Sequence, residues 1–361
     1  MEQISFDKIR LGGFWKNRFE INKNATIPTV YDRFCDTGRF KAFRCDWKEG
    51  MPDKPHFFWD SDVAKWLEAA AYTIAISPDA ELEKKIDETV DLIEKNQQED
   101  GYFNIYYTVV EPGKRFTKRD NHELYCAGHL TEAAVAYYKA TGKDKFLRLM
   151  CKYIDLIEKC FKIDDSAAFS TPGHEEIELA LIKLYDCTGE KRYLELCRHF
   201  IETRGRSKKD ADTRDWCDND YDQSDFPVRE LPAAVGHSVR AMYLYSGMAD
   251  LADRTDDKSL FDACDRLFDS TVKRRMYVTG GIGASAHGEQ FADDYILPND
   301  VAYSETCAAI GLALFARRMS AACPDSKYAD AAERAIYNGV LAGVSLDGHS
   351  FFYVNPLEIN I

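Results

Sequence analysis

Apolar residues recur at intervals of three and four positions along most of the chain, which is the period of one face of an α-helix. Segments with this pattern are separated by short polar or glycine-containing turns: 62–76, 80–97, 128–140, 145–161, 174–186, 191–203, 233–254, 258–274, 303–320 and 327–342. A further helix is predicted near 26–35. The pattern therefore predicts a largely helical protein whose helices follow one another in pairs.

The turns between paired helices have similar sequences, because TGKDKFL at 141–147 resembles TGEKRYL at 188–194. Such recurrence favours stacked helical hairpins, which either close into a ring of six or extend as a linear solenoid. The turns are unevenly spaced along the chain, which disfavours the solenoid. Long irregular segments would also crowd one rim of it: 101–125, 205–232 and 276–302. We therefore expect an all-α fold, an (α/α)6 toroid of helical hairpins.

The end of the chain has a different pattern from the rest. The sequence SFFYVNP at 350–356 predicts a strand rather than a helix. We expect residues 1–342 to form the helical domain. Residues 343–361 would then begin a β segment, the remainder of which is absent from the chain.

Composition narrows the class of protein. The chain has 361 residues, of which 45% are hydrophobic and 13% aromatic, enough for a large core. A net charge of -14, spread through the sequence, argues against nucleic acid and anionic membranes as partners. Neither a signal peptide nor a run of about 18 apolar residues occurs. Eleven cysteines without a repeating spacing indicate reduced thiols and a cytoplasmic location.

Residues that carry chemistry are concentrated at 277–307, in the sequence YVTGGIGASAHGEQFADDYILPNDVAYSETC. Its glycines permit backbone conformations that other residues avoid, so a functional loop held by rigid flanks is predicted. Glu289 is a candidate for acid/base chemistry. Glu305 and Cys307 are candidates to hold one metal ion, because residues two apart in an extended chain project to the same side. Without further context, each of these residues more often has a structural role. Glu289 would be an exposed loop carboxylate, Glu305 a carboxylate at a helix start and Cys307 a buried thiol.

Several motifs resemble those of glycoside hydrolase family 127, the beta-L-arabinofuranosidases. They are the segment 277–307, HELYCAGH at 122–129, GHE at 173–175, VGH at 235–237 and FFYVNP at 351–356. The long segment is highly specific, whereas the short histidine motifs are weak alone. The catalytic unit of that family is an (α/α)6 barrel followed by β-rich domains, so the resemblance implies this fold for most of the chain.

The resemblance also implies residue roles. Glu289 would be the general acid/base, and Glu305 and Cys307 would be zinc ligands. The implied contacts with the sugar are His122, His174, His237, Glu333 and Tyr353. The implied reaction is retaining, exo-acting hydrolysis of terminal β-linked L-arabinofuranose by a zinc-bound thiolate, with a carbohydrate as the partner. Structural roles are expected for the other histidines: His56, His129, His199, His287 and His349.

The chain departs from the family in one respect. The family's nucleophile is one of two adjacent cysteines, both zinc ligands, that lie well downstream of the long segment. This chain contains no Cys-Cys pair, and only Cys323 follows Cys307 before Ile361. We therefore expect weak zinc binding and little hydrolysis from this chain alone. Two alternatives stay open: a non-catalytic sugar-binding or scaffold protein, and another sugar enzyme such as an epimerase or uronyl hydrolase. A homo-oligomer is also compatible with the sequence.

Overall fold

The computed structural model of the protein describes residue 4, residues 6–210 and residues 218–358. Helix is the dominant element, and the only β pairing within these ranges is a set of isolated bridges. The α-helices are α1 (Gly13–Ile21), α2 (Ile27–Asp36), α3 (Arg39–Ala42), α4 (Trp59–Ile76), α5 (Ala80–Asn96), α6 (Ile105–Val109), α7 (Glu123–Thr141), α8 (Lys145–Glu158), α9 (Ile177–Thr188), α10 (Lys191–Thr203), α11 (Ser238–Thr255), α12 (Lys258–Arg274), α13 (Thr306–Ala322) and α14 (Ser326–Ala335).

The long helices form two layers. Helices α4, α7, α9, α11 and α13 pack side by side in this order, and each packs against the helix that follows it in sequence, which lies outside. Helix α7 is enclosed on all sides, since every residue from 126 to 137 is buried. Helix α8, in the outer layer, buries only one face, which includes Phe146, Met150 and Ile157. The predicted helical hairpins are therefore confirmed.

The inner helices enclose a common centre. Lys183 on α9 lies 3.2 Å from Glu68 on α4 across the interior, although α7 separates these helices in the packing order. The ends of the chain also meet, because the ring of Phe14 on α1 is 5.9 Å from that of Tyr337, just after α14. A linear solenoid would keep such elements apart. The prediction of a closed toroid is confirmed.

The three long irregular segments lie at one rim, where the first contacts the second and the third contacts the residues between the second and α11. Arg119, in the first, donates to Asp222 Oδ2 at 2.5 Å and to Ser224 Oγ at 2.9 Å in the second. The backbone N–H of Phe291, in the third, donates to Gly236 O at 2.9 Å. The second segment includes residues 211–217, which lie outside the described residues. The rim is thus where a site built from loops can form.

The prediction of a strand near the end of the chain is not supported. Residues 350–356 form a single bridge, between Phe351 and Val344, and otherwise follow an irregular path. Aromatic and β-branched residues favour strands only where a neighbouring strand pairs with them. Here Phe352 and Tyr353 are exposed instead. Residues 359–361 lie outside the described residues.

The lengths and compositions of the helices can be compared with those of a membrane-spanning helix. In the part of the chain that the structure describes, no helix combines the length and the apolar composition that a membrane span requires.

Candidate active site

Three histidines stand at the starts of three neighbouring inner helices. His122 immediately precedes α7 and His237 immediately precedes α11, while His174 lies three residues before α9. Because these helices begin at the same rim, the rings form a continuous row. The centroids of His122 and His174 are 5.4 Å apart, and those of His174 and His237 are 5.7 Å apart.

The first two histidines are neutral at physiological pH. Burial lowers the pKa of His122 to about 3, and the nearby Arg240 guanidinium lowers it further. The pKa of His174 is likewise well below its usual range, with the same two causes in the same order. Nδ1 of His122 donates to Asp120 O at 2.7 Å, which leaves Nε2 as an acceptor. The row therefore offers neutral imidazoles rather than cations.

His237 is bonded to Glu289 in a defined tautomer. Its Nδ1 accepts from the backbone N–H groups of Val239 at 3.2 Å and Arg240 at 3.5 Å, so its proton is on Nε2. Nε2 then donates to Glu289 Oε2 at 2.9 Å. Burial lowers the pKa of His237, although the carboxylate opposes this shift.

Glu289 is held as a carboxylate by two donors. Besides His237, the hydroxyl of Tyr303 donates to Oε1 at 2.6 Å. These hydrogen bonds, with His237 as the largest cause, lower the pKa of Glu289 to about 2 despite partial burial. The side chain remains 33% exposed, so ligand can reach it from the rim.

The glycine-rich loop gives Glu289 its position. The residue lies in a short 3-10 turn, His287–Glu289, where both Gly288 (φ 65°) and Glu289 (φ 55°) are left-handed. The hydroxyl of Ser238 donates to Glu289 O at 3.1 Å. A Cβ at Gly283 would lie 2.6 Å from the Ser238 hydroxyl oxygen, so this close approach requires glycine.

Glu305 and Cys307 form a second polar group at the start of α13. The thiol of Cys307 and the hydroxyl of Tyr353 lie beside the Glu305 carboxylate. Burial raises the pKa of the carboxyl and of the thiol. Glu305 is 2% exposed, and its Oε2 has no hydrogen-bond partner among the described residues.

This second group fits part of a zinc site. An unpartnered buried carboxylate oxygen beside a thiol is costly unless a cation completes it, and both are zinc ligands. The pair would supply two of the four ligands of a tetrahedral zinc site. Two tyrosines link this pair to the acid/base candidate, because Tyr303 donates to Glu289 and its ring centroid lies 6.1 Å from that of Tyr353.

The structure brings most of the predicted site residues to one place. The histidine row, Glu289 and the Glu305–Cys307–Tyr353 group form one network at the rim: His122, His174, His237, Glu289, Glu305, Cys307 and Tyr353. Its sequence positions span more than 200 residues. Only a closed arrangement of inner helices brings them together.

Glu333 is placed elsewhere. It is exposed on the outer helix α14, whose buried face consists of Tyr328, Ala331 and Ala335. Glu333 lines a surface depression with Asp330, Arg334, Tyr337 and Asn338, none of which belongs to the histidine network. The contact of Glu333 with the sugar stays a prediction, because this side chain lies outside the network. The helical period itself places this residue on the solvent side.

Two residues of the site were not predicted from the sequence. Tyr303 lies two residues before Glu305, inside the segment already identified, so its proximity was a usable signal. Arg240 lies in the first turn of α11, where it donates to Gly173 O and has its guanidinium carbon 4.7 Å from the Tyr221 ring centroid. Nothing in the sequence around Arg240 distinguishes it from an ordinary helical arginine.

The fold and the site together place this protein in the class of (α/α)6 toroids that carry a site at one rim. Cellobiose 2-epimerase from Bacillus thermoamylovorans shares this fold, with a TM-score of 0.50 over 76% of this chain and 74% of that chain. At 10% sequence identity, this likeness concerns the fold alone. Residues 8–360 match the family model described as beta-L-arabinofuranosidase, GH127 catalytic domain. The chain belongs to this family.

Two relatives are much more similar. A non-reducing end beta-L-arabinofuranosidase of Bifidobacterium longum is 43% identical over 319 residues, 83% of this chain and 48% of that protein. The crystal structure of a GH127 beta-L-arabinofuranosidase from Geobacillus stearothermophilus is 46% identical, with a TM-score of 0.92. The match covers 97% of this chain and 58% of that one. The chain therefore spans about half the length of these relatives.

Proposed function

We propose that the protein containing this chain is a retaining, exo-acting beta-L-arabinofuranosidase that acts on arabinofuranosyl-containing glycans. The observation that carries the proposal is the Glu289 carboxylate, which is fixed by His237 and Tyr303 at the end of a row of neutral imidazoles. Family membership and the names of the two similar relatives support the substrate. Residues 1–342 would form the catalytic barrel.

Glu289 is the proposed general acid/base. In the first step it would protonate the leaving oxygen, and in the second it would take a proton from water as the water attacks the anomeric carbon. A pKa of about 2 makes Glu289 a carboxylate in the free site, which is the form needed for the second step. For the first step, the sugar must exclude water from Glu289 and so raise its pKa.

The sugar contacts would come from the row of imidazoles. His122 and His174 are neutral, and each donates its Nδ1–H to a backbone carbonyl, so each offers Nε2 as an acceptor to the hydroxyl groups of a furanose. His237 would hold Glu289 in place beside them, and Tyr353 would close the site from the α13 side. Glu333 is not included, because it lies on the exposed face of an outer helix.

Glu305 and Cys307 would hold zinc together with ligands from outside this sequence. When bound, zinc would remove the proton of a coordinated thiol and so make a nucleophile of it. The family's nucleophilic cysteine is part of a paired motif that this sequence lacks. We also propose a cytoplasmic location, which is supported by the unpaired thiols of all cysteines in the described ranges.

The substitution Glu289→Gln in the full-length protein tests the proposal. It keeps the shape of the side chain but removes proton transfer, so hydrolysis of an aryl β-L-arabinofuranoside is expected to fall by at least about 100-fold. Glu88→Gln is the matched control, with the same chemical change at an exposed position of α5, and its rate should equal that of the wild type. A Glu289→Gln variant with wild-type activity would refute the role.

Sugar binding without catalysis is the second candidate function for this chain. It is favoured by the intact row of imidazoles in a sequence without the paired cysteines. The two functions are distinguished by calorimetry with L-arabinose together with an assay for hydrolysis of the aryl β-L-arabinofuranoside. The binding function requires that the 361-residue chain bind L-arabinose and leave the aryl glycoside unhydrolysed.

A further inference from the structure

A second group of titratable side chains lies deeper in the toroid. His129 is on α7, Glu132 is one helical turn further along α7, and Glu176 is the residue before α9. The ring of Tyr125 separates this group from the histidine row, with centroids 4.5 Å from His129 and 4.3 Å from His174. The group is therefore distinct from the site described above.

The three side chains converge around a common point. Nδ1 of His129 is 3.2 Å from Glu176 Oε1 and 3.7 Å from Glu132 Oε2. One possible ligand atom from each residue lies within 4.8 Å of those from the other two. His129 is only 4% exposed, yet neither of its ring nitrogens has a hydrogen-bond partner among the described residues. Buried polar groups normally have hydrogen-bond partners, so the ring nitrogens of His129 are available to bind a ligand.

The charges of the cluster are unbalanced. The carboxylates of Glu132 and Glu176 contact each other, and Glu68 adds a third nearby. Within the described ranges, the ammonium bonded to them is that of Lys183, which contacts Glu132 and Glu68. Two like charges in contact inside a protein require a shared proton or a cation between them.

The neighbouring cations are bonded to other groups. Arg318 pairs with Asp250 at 2.5 Å. The ammonium of Lys65 lies 4.6 Å from the Tyr125 ring centroid and donates to Ser61 O at 3.4 Å.

We propose that His129, Glu132 and Glu176 bind a divalent transition-metal ion. One imidazole nitrogen and two carboxylate oxygens are a ligand set that suits Zn²⁺ and Mn²⁺. The ion would balance the excess negative charge, give the imidazole its missing partner and tie α7 to the start of α9 beneath the histidine row. The site has no sulfur ligand, so its chemistry differs from that of Glu305 and Cys307.

Mn²⁺ is the probe that separates the two groups, because a thiolate site disfavours it and a nitrogen–oxygen site accepts it. The full-length protein, freed of metal with a chelator, is titrated with Mn²⁺ and the signal of the free ion is followed by electron paramagnetic resonance. We expect about one Mn²⁺ bound per chain. Glu176→Gln and His129→Asn should each weaken that binding by at least about tenfold.

Cys307→Ser is the matched control, and it should bind Mn²⁺ as the wild type does. Near-ultraviolet circular dichroism identifies a variant that has not folded, and in that case the wild-type titration decides. The proposal is overturned if the wild type binds no Mn²⁺, or if Glu176→Gln and His129→Asn bind it as tightly as the wild type. An infrared band of a protonated carboxyl group that persists in wild-type protein with excess Mn²⁺ would also overturn it, because a shared proton would then balance the charge.

Discussion

At the scale of single residues, the site depends on which group donates to Glu289. His237 accepts from two backbone N–H groups at the start of α11, and this fixes its remaining proton toward the carboxylate. Tyr303 supplies the second donor. A helix terminus and one tyrosine therefore set the protonation state of the acid/base candidate, although neither contact is visible in the sequence.

Replacing Tyr303 by Phe should raise the pKa of Glu289. A hydrogen bond to a charged group contributes about 1.5–3 kcal/mol, which corresponds to about one to two pKa units. Protonated Glu289 is needed to protonate the leaving group, so activity falls as pH rises through its pKa. In Tyr303→Phe this descending limb of the kcat profile, which reports the sugar-bound form of the full-length protein, should move to higher pH.

Tyr295→Phe provides the control for that experiment. Tyr295 lies on the same loop and is 70% exposed, so its substitution should leave the pH profile unchanged. A Tyr303→Phe profile that coincides with the wild type would show that the tyrosine does not influence the carboxyl group.

Among individual residues, the sequence allowed prediction of those that stand in distinctive motifs. Glu289, Glu305 and Cys307 lie in one long glycine-rich segment, and the structure brings them into one network with the three histidines. Glu333 lies apart from this network, and a short motif alone gives a residue in a helix no inward or outward direction. The helical period of α14 contained that information, since Tyr328, Ala331 and Ala335 mark the opposite face.

At the scale of helices, close packing explains why the inner layer contains small residues. Gly128 on α7 faces the segment before α9, and a Cβ there would lie 2.6 Å from Glu176 Cγ and 3.0 Å from the Ile177 backbone nitrogen. The inner helices can approach one another only because this position has no side chain. The approach also determines the position of Glu176 relative to His129.

Gly128→Ala should therefore destabilise the protein, even though alanine favours helix more than glycine does. Forcing an extra methyl group into a packed interface costs about 1–3 kcal/mol, which denaturant unfolding measures as a lower midpoint. Gly12→Ala is the control, because a Cβ at Gly12 meets nothing within 4 Å. Equal midpoints for the two variants would contradict this account of the packing.

Helix positions followed from periodicity, but helix starts did not. The predicted starts at 174 and 233 differ from the observed starts at Ile177 and Ser238, because the GHE and VGH motifs precede the helices in a non-helical backbone. His237 accepts from the first N–H groups of α11 as a cap, a role that the usual capping residues do not predict. The same residues that carry the site also end the regular structure.

At the scale of the whole molecule, the sequence favoured a ring over a solenoid, and the interior contacts show why the ring closes. The decisive contact joins Lys183 to Glu68 across the centre, yet each residue alone is an ordinary charge on a helix. The end of the chain could not be predicted in this way. Its strand-like composition at 350–356 has no partner strand within the described residues, so propensity alone gave the wrong element.

A fully buried arginine connects the barrel wall to the rim. Arg204, just after α10, is 3.0 Å from Glu175 and 3.5 Å from Glu178. It also donates to the carbonyl oxygens of Pro172 and Asp222, each at 2.7 Å. The loop that carries His174 is therefore fixed by an interior cation to the loop around residue 222.

Arg204→Met should destabilise the whole molecule and disturb the site together. Removing one partner of a buried ion pair leaves uncompensated charge and costs about 3–5 kcal/mol, which should appear as a lower midpoint of denaturant unfolding. Sugar affinity should also weaken, because the loop of His174 loses its anchor. Arg198→Met is the control, since Arg198 on α10 is 42% exposed and lies 3.8 Å from its partner Glu195. If Arg204→Met retained both the wild-type midpoint and the wild-type affinity for L-arabinose, the rim would have to be held by the loops themselves rather than by the interior of the barrel.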